Sequence, residues 1–515
     1  MPLLSWHNRD EDLTRAARTP YRLLEPVTSL SYGEVDSPNM LIEGDNIDAL
    51  KALLPYYAGQ VKCIYIDPPY NTLSADMPHY DDNIEHSQWL SMMYPRLELL
   101  KKLLAPDGHI FVQIDDNEMA YLQIIMDEVF GRSNRAINIA VKMSELSGVK
   151  MKHVDRKPPK LKEYILAYRA TSVGRLQPIK KQKDPEKFER YLGYYTKVIE
   201  NPEEDVENWI ITPIKSYLAA QGTEPTEDLI REFQLRESDR VVYRTNNALL
   251  SRLSFNTKTA KVISPTGVEY VWWEGKQMLF LSAYAQEYLG DFWPDISTIN
   301  LNKEGGIDFK RGKKPEALLQ RVFDISTVPG DLVLDSFLGS GTTAAVAHKM
   351  GRRWIGIEMR EQAKSHARKR LADVVDGEHS GISEAINWNG GAGFRFYKLG
   401  VPVFDEYGHI RDGIKFEHLA AHIWFAETGT ARSTRAKKDA FLGEHAGTGY
   451  YLLFNGILGD ERKTGGNVLT RRVLRSLPKF DGPKVVYGEA CDLSEEQLRE
   501  LDIVFRQTPY DIKAR

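Results

Sequence analysis

The sequence predicts an α/β protein built on a parallel β-sheet, and three observations support this fold class. Two regions, about 40–170 and about 290–400, alternate short apolar runs with segments whose apolar residues recur at helical spacing. The apolar run at 61–66 is nearly continuous, as in a strand buried on both faces. A second run, at 332–335, leads into a glycine-rich turn that opens a helix. Strands that alternate with helices imply right-handed crossovers and a parallel sheet covered on both faces.

The first region supplies its elements in a regular order. A strand at 40–43 is followed by a helix that Asp45 or Asn46 is placed to cap. The strand at 61–66 stops at Asp67-Pro68-Pro69, because proline cannot continue the hydrogen-bonded ladder. The remaining predicted elements are helices at 90–104 and 121–130 and strands at 109–114, 136–143 and 163–169.

The second region repeats the pattern after an irregular segment at about 170–288. The periodicity predicts strands at 332–335 and 354–358 and helices at 342–350 and 362–375. A further α/β pattern begins near residue 401, with strands at 450–454 and 485–487 and a helix at 494–501.

Length and composition limit the class of protein. A chain of 515 residues is expected to form about two to four domains. Hydrophobic residues make up 42% and charged residues 27%, the balance of a soluble globular protein. No apolar run approaches the roughly 20 residues of a membrane span, and the N-terminus resembles neither a signal peptide nor a transit peptide. The two cysteines, Cys63 and Cys491, give no disulfide framework and no metal cluster, so we predict a cytoplasmic setting.

The net charge of the chain does not by itself indicate whether it binds nucleic acid. A net charge of -4 argues against a simple basic nucleic-acid binder. Local basic stretches at 142–162, 180–183, 432–438 and 462–475 can still hold a phosphate backbone. Each of them, taken alone, is more typical of a solvated surface.

The turn that follows the strand at 332–335 has the sequence Asp335-Ser336-Phe337-Leu338-Gly339-Ser340-Gly341 and opens a helix at Thr342. In such a turn backbone N–H groups face a ligand, and glycines let the backbone approach it closely. The next strand ends in Glu358, which is placed to hydrogen-bond ribose hydroxyls. The spacing is neither that of a dinucleotide-binding turn nor that of a P-loop. These features favour a cofactor that contains adenosine; a tight turn that only opens a core helix is the alternative.

The tetrad Asp67-Pro68-Pro69-Tyr70 lies at the C-terminal end of a strand, on the edge where ligands bind in such folds. The exocyclic nitrogen of adenine is a poor nucleophile because its lone pair is delocalised into the ring. The carboxylate of Asp67 and the carbonyl of Pro68 can accept its two N–H bonds and free the lone pair for attack on a methyl group. The prolines stiffen the loop, and Tyr70 offers a flat face to a flipped base. An ordinary strand end with a surface tyrosine is the alternative.

Together the two motifs resemble those of the DNA amino-methyltransferases, whose signatures are an Asp-Pro-Pro-Tyr loop and a Phe-x-Gly-x-Gly loop. The glycine loop at 337–341 follows the tetrad by about 270 residues, which is the circularly permuted order of the beta class. The resemblance is good over about 40–170 and 290–400, looser in the C-terminal region and very weak over 171–290. Stretches similar to the modification subunits of type III restriction systems are 42–46, 65–72, 89–97, 114–118 and the tail at 508–513.

The resemblance implies a circularly permuted, Rossmann-like S-adenosylmethionine-dependent methyltransferase sheet with an inserted target-recognition domain and a small C-terminal α/β domain. The implied partners are double-stranded DNA, a second copy of the chain in a homodimer and, in a restriction system, a separate restriction or translocase subunit; no membrane is implied. The implied domains are an N-terminal arm (1–39), a catalytic half (40–170), a target-recognition insertion (171–290), a cofactor-binding half (291–400) and a C-terminal α/β domain (401–515).

Site residues follow from the resemblance by matched position. The catalytic residues would be Asp67, Pro68, Pro69 and Tyr70. Phe337 would pack on S-adenosylmethionine, Glu358 would bind its ribose, and Asp45 would contact its adenine unless it only caps the following helix. Lys314, which precedes the strand of the glycine loop, receives no role. The residues around the methionine portion would be Asp335, Gly339, Ser340, Gly341 and Thr342.

The function so implied is transfer of a methyl group to N6 of a flipped adenine in duplex DNA, within a restriction-modification or related defence system. N4-cytosine methylation uses similar chemistry, although Asp rather than Ser at position 67 favours adenine. Methylation of RNA bases and a catalytically silent DNA-recognition subunit are further alternatives. Methylation at cytosine C5 requires a cysteine nucleophile, and neither cysteine lies in a suitable loop.

Overall fold

In the computed structural model the chain divides into two units. The larger unit contains Met1–Gln177 and Asp291–Arg515, and the smaller unit is Pro178–Gly290. Most of the basic stretch at 142–162 and the end of the tail at 508–513 lie outside the described residues. The structure describes residues 3–72, 85–144, 158–183, 189, 191–245, 259–263, 269–273, 276–299, 301–307, 309, 312–359, 361–407, 409–433, 436–457 and 462–508.

The first half of the larger unit contains the strands and helices predicted for 40–170. Asp45 begins one helix by accepting a hydrogen bond from the N–H of Ile47 at 3.0 Å, which confirms the predicted cap. Another helix begins earlier than predicted because the carboxylate of Glu85 caps its first turn. The strands are β1 (Arg22–Pro26), β2 (Tyr32–Gly33), β3 (Met40–Glu43), β4 (Val61–Ile66), β5 (Leu104–Ile114), β6 (Arg135–Lys142) and β7 (Lys162–Arg169). The helices are Arg9–Arg18, Asn46–Tyr57, His86–Leu103 and Met119–Met126, with short 3-10 or π segments at Thr28–Leu30, Asp127–Gly131 and Arg132–Asn134.

The smaller unit is built on an antiparallel sheet, unlike the larger one. Its strands are β8 (Lys180–Gln182), β9 (Lys197–Ile199), β10 (Ile211–Pro213), β11 (Val241–Thr245), β12 (Thr259–Ile263), β13 (Glu269–Trp273), β14 (Lys276–Phe280) and β15 (Gln286–Tyr288). Its helices are Ile214–Ala220, Glu227–Arg236 and Leu281–Ala285, with a 3-10 segment at Val206–Asn208. The sheet has the order β10-β9-β11-β14-β13-β12, and β8 pairs with β15 separately.

The second half of the larger unit returns to the α/β pattern. Its strands are β16 (Phe292–Trp293), β17 (Leu332–Asp335), β18 (Arg353–Glu358), β19 (Gly393–Pro402), β20 (Phe441–His445), β21 (Thr448–Leu452), β22 (Val468–Leu469), β23 (Lys484–Gly488), β24 (Ala490–Cys491) and β25 (Ile503–Gln507). Its helices are Glu316–Ser326, Thr342–Lys349, Lys369–Val375, Phe416–Thr428, Arg471–Ser476 and Glu495–Glu500, with 3-10 or π segments at Leu301–Gly306 and Ala363–Arg368. A separate four-stranded sheet, β20-β21-β23-β25, forms near the C-terminus.

The main sheet has the strand order β1-β19-β3-β18-β17-β4-β5-β7-β6-β16, with β2 beside β19. The strands from β19 to β5 are parallel. β7 runs antiparallel to both β5 and β6, and β1 runs antiparallel to β19. The prediction of a parallel sheet is therefore wrong at both ends. At one end, β5 and β6 run in the same direction, and β7 lies between them and runs in the opposite direction. The architecture is a mixed α/β fold with one large mixed sheet and several small sheets.

The centre of the main sheet is made of strands from opposite ends of the chain. β17 and β18, which come late, lie between β3 and β4, which come early. Every residue of β17 is buried, and so is every residue of β4 except Lys62. Because these four strands are parallel, their carboxyl ends meet at one edge. Among the described helices, none is long and apolar enough to cross a membrane.

Candidate active site

The two predicted loops emerge side by side at the carboxyl edge of the main sheet. β17 and β4 are parallel neighbours, with Val333 opposite Cys63. Each strand therefore delivers its loop to the same cavity, which has a volume of about 80 Å³. Gly341, Glu358 and Asp45 lie outside the lining of this cavity. The predicted residues that line it are Asp67, Pro68, Pro69, Tyr70, Asp335, Phe337, Gly339, Ser340 and Thr342.

The two carboxylate oxygens of Asp67 have different surroundings. Oδ2 lies 3.0 Å from Nζ of Lys314. Oδ1 is buried and has no hydrogen-bond partner among the described residues. Burial raises the pKa of Asp67, Lys314 opposes this effect and Glu163 adds to it, so that the pKa lies above its ordinary value. One oxygen is thus held in place while the other remains available as an acceptor.

Lys314, which lines the cavity, lies between two carboxylates. Its Nζ lies 3.4 Å from Oε2 of Glu163 as well as 3.0 Å from Oδ2 of Asp67. The same ammonium lies 4.8 Å from the centroid of the Tyr70 ring, within the range of a cation–π contact. Burial lowers the pKa of Lys314, but the two carboxylates raise it more, so that the pKa lies above its ordinary value. The lysine is therefore charged, although its side chain is only 8% exposed.

Glu163, near the start of β7, fixes both Lys314 and the tetrad. Its Oε2 accepts a hydrogen bond from the Tyr70 hydroxyl at 2.8 Å and another from Nε2 of Gln113 at 2.6 Å. Gln113 in turn accepts a hydrogen bond from the Tyr65 hydroxyl. Burial raises the pKa of Glu163, but Lys314 and these hydrogen bonds outweigh it, so that the pKa lies below its ordinary value. Glu163 is therefore an ionised anchor for Tyr70.

The backbone carbonyls of Pro68 and Pro69 differ in their hydrogen bonding. The buried indole of Trp89 donates from Nε1 to the carbonyl of Pro69 at 2.8 Å. No donor among the described residues bonds to the carbonyl of Pro68, which lines the cavity. The loop is thus held by the Pro69 carbonyl, while the Pro68 carbonyl remains available in the cavity that Asp67 also lines.

The glycine loop is held by the carboxylate of Asp335 and by the left-handed backbone conformation of Gly341. Oδ1 of Asp335 accepts the N–H of Phe337 at 2.8 Å. Burial raises the pKa of Asp335 to about 7. Gly341 has a φ of +82°, which favours glycine, and it caps the helix that begins at Thr342. The turn therefore aims the N-terminus of this helix towards the carboxyl edge of the sheet.

Glu358, at the end of β18, supports the glycine loop directly. One carboxylate oxygen accepts the N–H of Gly339 at 2.6 Å, and the other accepts the N–H of Met359 at 3.0 Å. The residue is 3% exposed. Its predicted contact with ribose is compatible with these bonds, because each carboxylate oxygen has a second lone pair. That contact stays a prediction.

Comparison with known proteins decides the family. A family model described as "DNA methylase", for N6 and N4 methylation, matches residues 61–369. The chain belongs to this DNA methylase family. It is 38% identical to the probable type III restriction-modification enzyme HindVI Mod subunit of Haemophilus influenzae, over 70% of this chain and 54% of that protein. It is 28% identical to the EcoPI Mod subunit of Escherichia phage P1, over 61% of this chain and 55% of that protein. The chain thus spans about half the length of the curated relatives it matches.

Among solved structures, the chain is similar to the PvuII DNA methyltransferase, which is described as cytosine-N4-specific. The identity is 15% and the TM-score 0.36, over 71% of this chain and 94% of that chain. It is also similar to M1.HpyAVI in complex with SAM, at 15% identity and a TM-score of 0.32, over 64% of this chain and 98% of that chain.

Asp45 has local partners that account for its position. Besides capping its helix, its Oδ1 lies 2.9 Å from Nη2 of Arg96. Its side chain is 49% exposed, and Asn46 beside it donates to the carbonyl of Ser336 in the glycine loop at 2.8 Å. Helix capping, the alternative in the sequence, is therefore observed, while contact with a cofactor's adenine stays a prediction.

Several residues of the site were not predicted from sequence. Glu163 on β7 and Gln113 on β5 support the residues that line the cavity, but each lies in a run that indicates only a strand. Lys314 precedes Pro315 and the strand of the glycine loop, but its ion-pair partner, Asp67, is remote in sequence. Trp89 opens the stretch at 89–97 that resembles Mod subunits, but nothing in that stretch indicates its hydrogen bond to the Pro69 carbonyl. Pairing of β4, β5 and β7 in one sheet brings these residues together.

A buried ionic cluster supports the helix that follows the glycine loop. Arg370 donates from Nη1 to the Thr342 hydroxyl at 2.6 Å and from Nη2 to Glu316 at 2.7 Å. Lys349 lies 2.8 Å from the other oxygen of Glu316. The side chains of all three charged residues are 0% exposed. Glu316 is thus enclosed between two cations next to the candidate cofactor loop, and Lys349 also pairs with Glu378.

Proposed function

We propose that this chain transfers a methyl group from S-adenosylmethionine to N6 of a flipped adenine in duplex DNA. The observation that carries the proposal is the pair of available acceptors, Oδ1 of Asp67 and the carbonyl of Pro68, in the cavity that also contains the glycine loop. An exocyclic amino group has two N–H bonds, and these two acceptors match them. Membership of the DNA methylase family supports the same conclusion.

The chain's own residues would act on the amino group in two ways. Asp67 and Pro68 hold its two hydrogens, so that the nitrogen lone pair points towards the methyl donor rather than into the ring. As the nitrogen–methyl bond forms, the nitrogen releases one proton, which Oδ1 of Asp67 accepts; the raised pKa of this carboxyl suits it to that task. Lys314 keeps Asp67 ionised until then. Tyr70, fixed by Glu163, provides the ring on which the base lies.

S-adenosylmethionine supplies the methyl group when it is bound. The residues at the glycine loop fit such a group: backbone N–H groups at a helix N-terminus, the carboxyl of Asp335 and the ring of Phe337. Glu358 would add the ribose contact and Asp45 the adenine contact. Because the cavity measures only about 80 Å³, we expect the two loops to separate when the cofactor binds. The residues that would hold its methionine portion are Asp335, Gly339, Ser340, Gly341 and Thr342.

The same proposal covers the type of fold, the roles of the domains and the assembly of the protein. The fold is interpreted as a circularly permuted methyltransferase sheet, because the late strands β17 and β18 lie inside the early ones. The separate unit Pro178–Gly290 would read the DNA target, and the sheet near the C-terminus would belong to a C-terminal α/β domain. Similarity to Mod subunits supports a role in a type III restriction-modification system, with a restriction or translocase subunit as partner and a homodimer as the assembly.

The test is methyl transfer from radiolabelled S-adenosylmethionine to duplex DNA, followed by mass spectrometry of the nucleosides. We expect N6-methyladenine, and we expect Asp67→Ala to abolish transfer while calorimetry still detects cofactor binding. Asp107→Ala is the matched control, because Asp107 pairs with Lys62 near the opposite end of β4. N4-methylcytosine as the product would overturn the adenine assignment. Near-normal turnover of Asp67→Ala would overturn the role of Asp67, and absence of cofactor binding by the wild type would leave only a silent recognition subunit.

Methylation at cytosine C5 is disfavoured by the structure of the site. Cys63 lies inside β4 and is fully buried, and burial raises the pKa of its thiol to about 12. A thiol with such a pKa is not a ready nucleophile. Cys491 lies in β24, away from the catalytic cavity's lining.

A further inference from the structure

A second, much larger cavity lies at the opposite edge of the main sheet. Its volume is about 1110 Å³, and it is lined by Met40, Leu332 and Arg353, with which β3, β17 and β18 begin. The catalytic cavity lies at the carboxyl ends of β4 and β17, so the two cavities are separated by the length of the strands. The far wall comes from the helix Phe416–Thr428 and the residues after it, including Arg432. We refer to this space as the amino-edge cavity.

The lining of the amino-edge cavity carries positive charge that no described residue pairs. Arg353, Arg395 and Arg432 line it, and none of the three forms an ion pair with a described residue. The fourth arginine of the lining, Arg22, is instead bound to Asp48 at 2.8 Å, and Asp48 is not part of the lining.

The acidic side of the lining is weaker. Among the described residues of the lining, the acidic ones are Asp36 and Glu417, and Glu417 already contacts Nζ of Lys438 at 3.2 Å. The electrostatic potential of the cavity is therefore positive, which favours an anion.

Two of these guanidinium groups also have donors without acceptors. Nε of Arg395 and Nε of Arg432 are buried and have no hydrogen-bond partner among the described residues. Arg432 is only 6% exposed, and its Nη2 donates to a backbone carbonyl, that of Lys437, at 3.0 Å. Burial lowers the pKa of Arg432 because no carboxylate compensates its charge. A buried donor without an acceptor is unfavourable unless a ligand supplies one.

Aromatic side chains form the remaining walls. Tyr56, Tyr57 and Tyr397 line the cavity beside the arginines. Cζ of Arg395 lies 5.5 Å from the centroid of the Tyr397 ring, and the Tyr56 hydroxyl lies 3.1 Å from Nδ1 of His418. Guanidinium groups bind phosphate in a bidentate manner, and flat rings with arginine suit a nucleobase. The volume of about 1110 Å³ slightly exceeds the usual range of small-molecule sites, about 300–1,000 Å³, so a nucleotide-sized ligand has room.

We propose that the amino-edge cavity binds a free nucleoside phosphate, with the phosphate on Arg353 and Arg395 and the nucleoside along the tyrosine walls towards Arg432. This site is separate from the proposed cofactor site and does not depend on its assignment. Because the cavity is closed on one side by the helix Phe416–Thr428, the ligand would connect the main sheet to the C-terminal part of the chain.

The experiment is calorimetric titration of the full chain with ADP in the presence of saturating S-adenosylhomocysteine, which blocks the adenosine site at the carboxyl edge. We expect one ADP per chain. We expect Arg395→Met and Arg353→Met each to weaken binding at least tenfold, while Arg506→Met, an exposed arginine of β25, leaves it unchanged. Arg353 is exposed, so its variant tests the proposal even if Arg395→Met fails to fold.

Several outcomes would overturn the proposal. Absence of ADP binding, loss of binding when S-adenosylhomocysteine is added, or equal affinity in the two arginine variants and the wild type would each do so. Inorganic phosphate that binds as tightly as ADP would overturn the nucleoside part. Displacement of ADP by a short DNA oligonucleotide would overturn the assignment to a free nucleotide.

Discussion

Replacement of Lys314 by methionine removes the positive charge between the two carboxylates of the candidate active site. Methionine keeps most of the volume of the buried stem, so the change is chiefly electrostatic. Asp67, at 3.0 Å, and Glu163, at 3.4 Å, would then face each other without a cation. Glu163 retains its hydrogen bonds from Tyr70 and Gln113, whereas Oδ1 of Asp67 has no partner among the described residues. Asp67 is therefore the group that takes a proton.

The size of the effect follows from the distance between the charges. Two unit charges 3.0 Å apart interact by about 5 kcal/mol when the effective dielectric constant is about 20. One pKa unit corresponds to about 1.4 kcal/mol, so the upper limit for the pKa shift of Asp67 is about 4 units. The Asp67 side chain is 17% exposed, which screens the interaction, and we expect a shift of at least about 1 unit. The sign is upward, because the lost cation stabilised the ionised carboxylate.

The assay is the pH dependence of kcat/KM for methyl transfer. The acidic limb of the profile should move to higher pH in Lys314→Met, and activity near neutral pH should fall. Lys62→Met is the matched control, since Lys62 lies on β4 and pairs with Asp107 at a distance of 2.5 Å. Neither of these two residues lines the catalytic cavity. An acidic limb at the wild-type position, with kcat/KM within about threefold of wild type, would refute this account of Lys314. A purely structural role would lower activity without moving the limb.

The remaining predictions concern the support of the glycine loop. Glu316→Gln should destabilise the protein by about 3–5 kcal/mol in urea unfolding, because it leaves the buried Arg370 without its carboxylate partner, while Lys349 keeps only its ion pair with Glu378. Glu358→Gln should cost about 1–3 kcal/mol of stability, since an amide offers only one oxygen to the two N–H groups that the carboxylate now accepts. Calorimetry should also show S-adenosylmethionine binding at least tenfold more weakly to Glu358→Gln, because Gly339 loses its anchor.

A single variant, Glu361→Gln, is the control for both Glu316→Gln and Glu358→Gln. Glu361 is exposed and contacts Lys364 at 3.4 Å on the surface, so Glu361→Gln should leave stability and cofactor affinity unchanged. A loss of less than about 1 kcal/mol in Glu316→Gln would contradict the importance of the buried cluster. Unchanged cofactor affinity in Glu358→Gln would mean that the loop does not need this carboxylate.

The local elements of this protein were determined by its sequence. β4 and β17 lie at the predicted residues, and the helix after the glycine loop begins at Thr342 as predicted. These features depend on neighbouring residues: proline ends a ladder, glycine permits a left-handed turn at Gly341, and apolar periodicity defines a buried face. The two motifs could likewise be recognised from short stretches of sequence. Their adjacency in space was implied by the resemblance rather than by either stretch alone.

Only the tertiary structure decided which distant residues meet. The strands at 136–143 and 163–169 were both predicted, but the antiparallel direction of β7 was not, because pairing order is not encoded in the periodicity of one strand. That direction is what places Glu163 beside Lys314 and Tyr70. The amino-edge cavity with Arg395 and Arg432 has the same origin, since its walls come from segments far apart in the chain. Charges from such segments compensate one another, or remain unpaired, only once the sheet has fixed their distances.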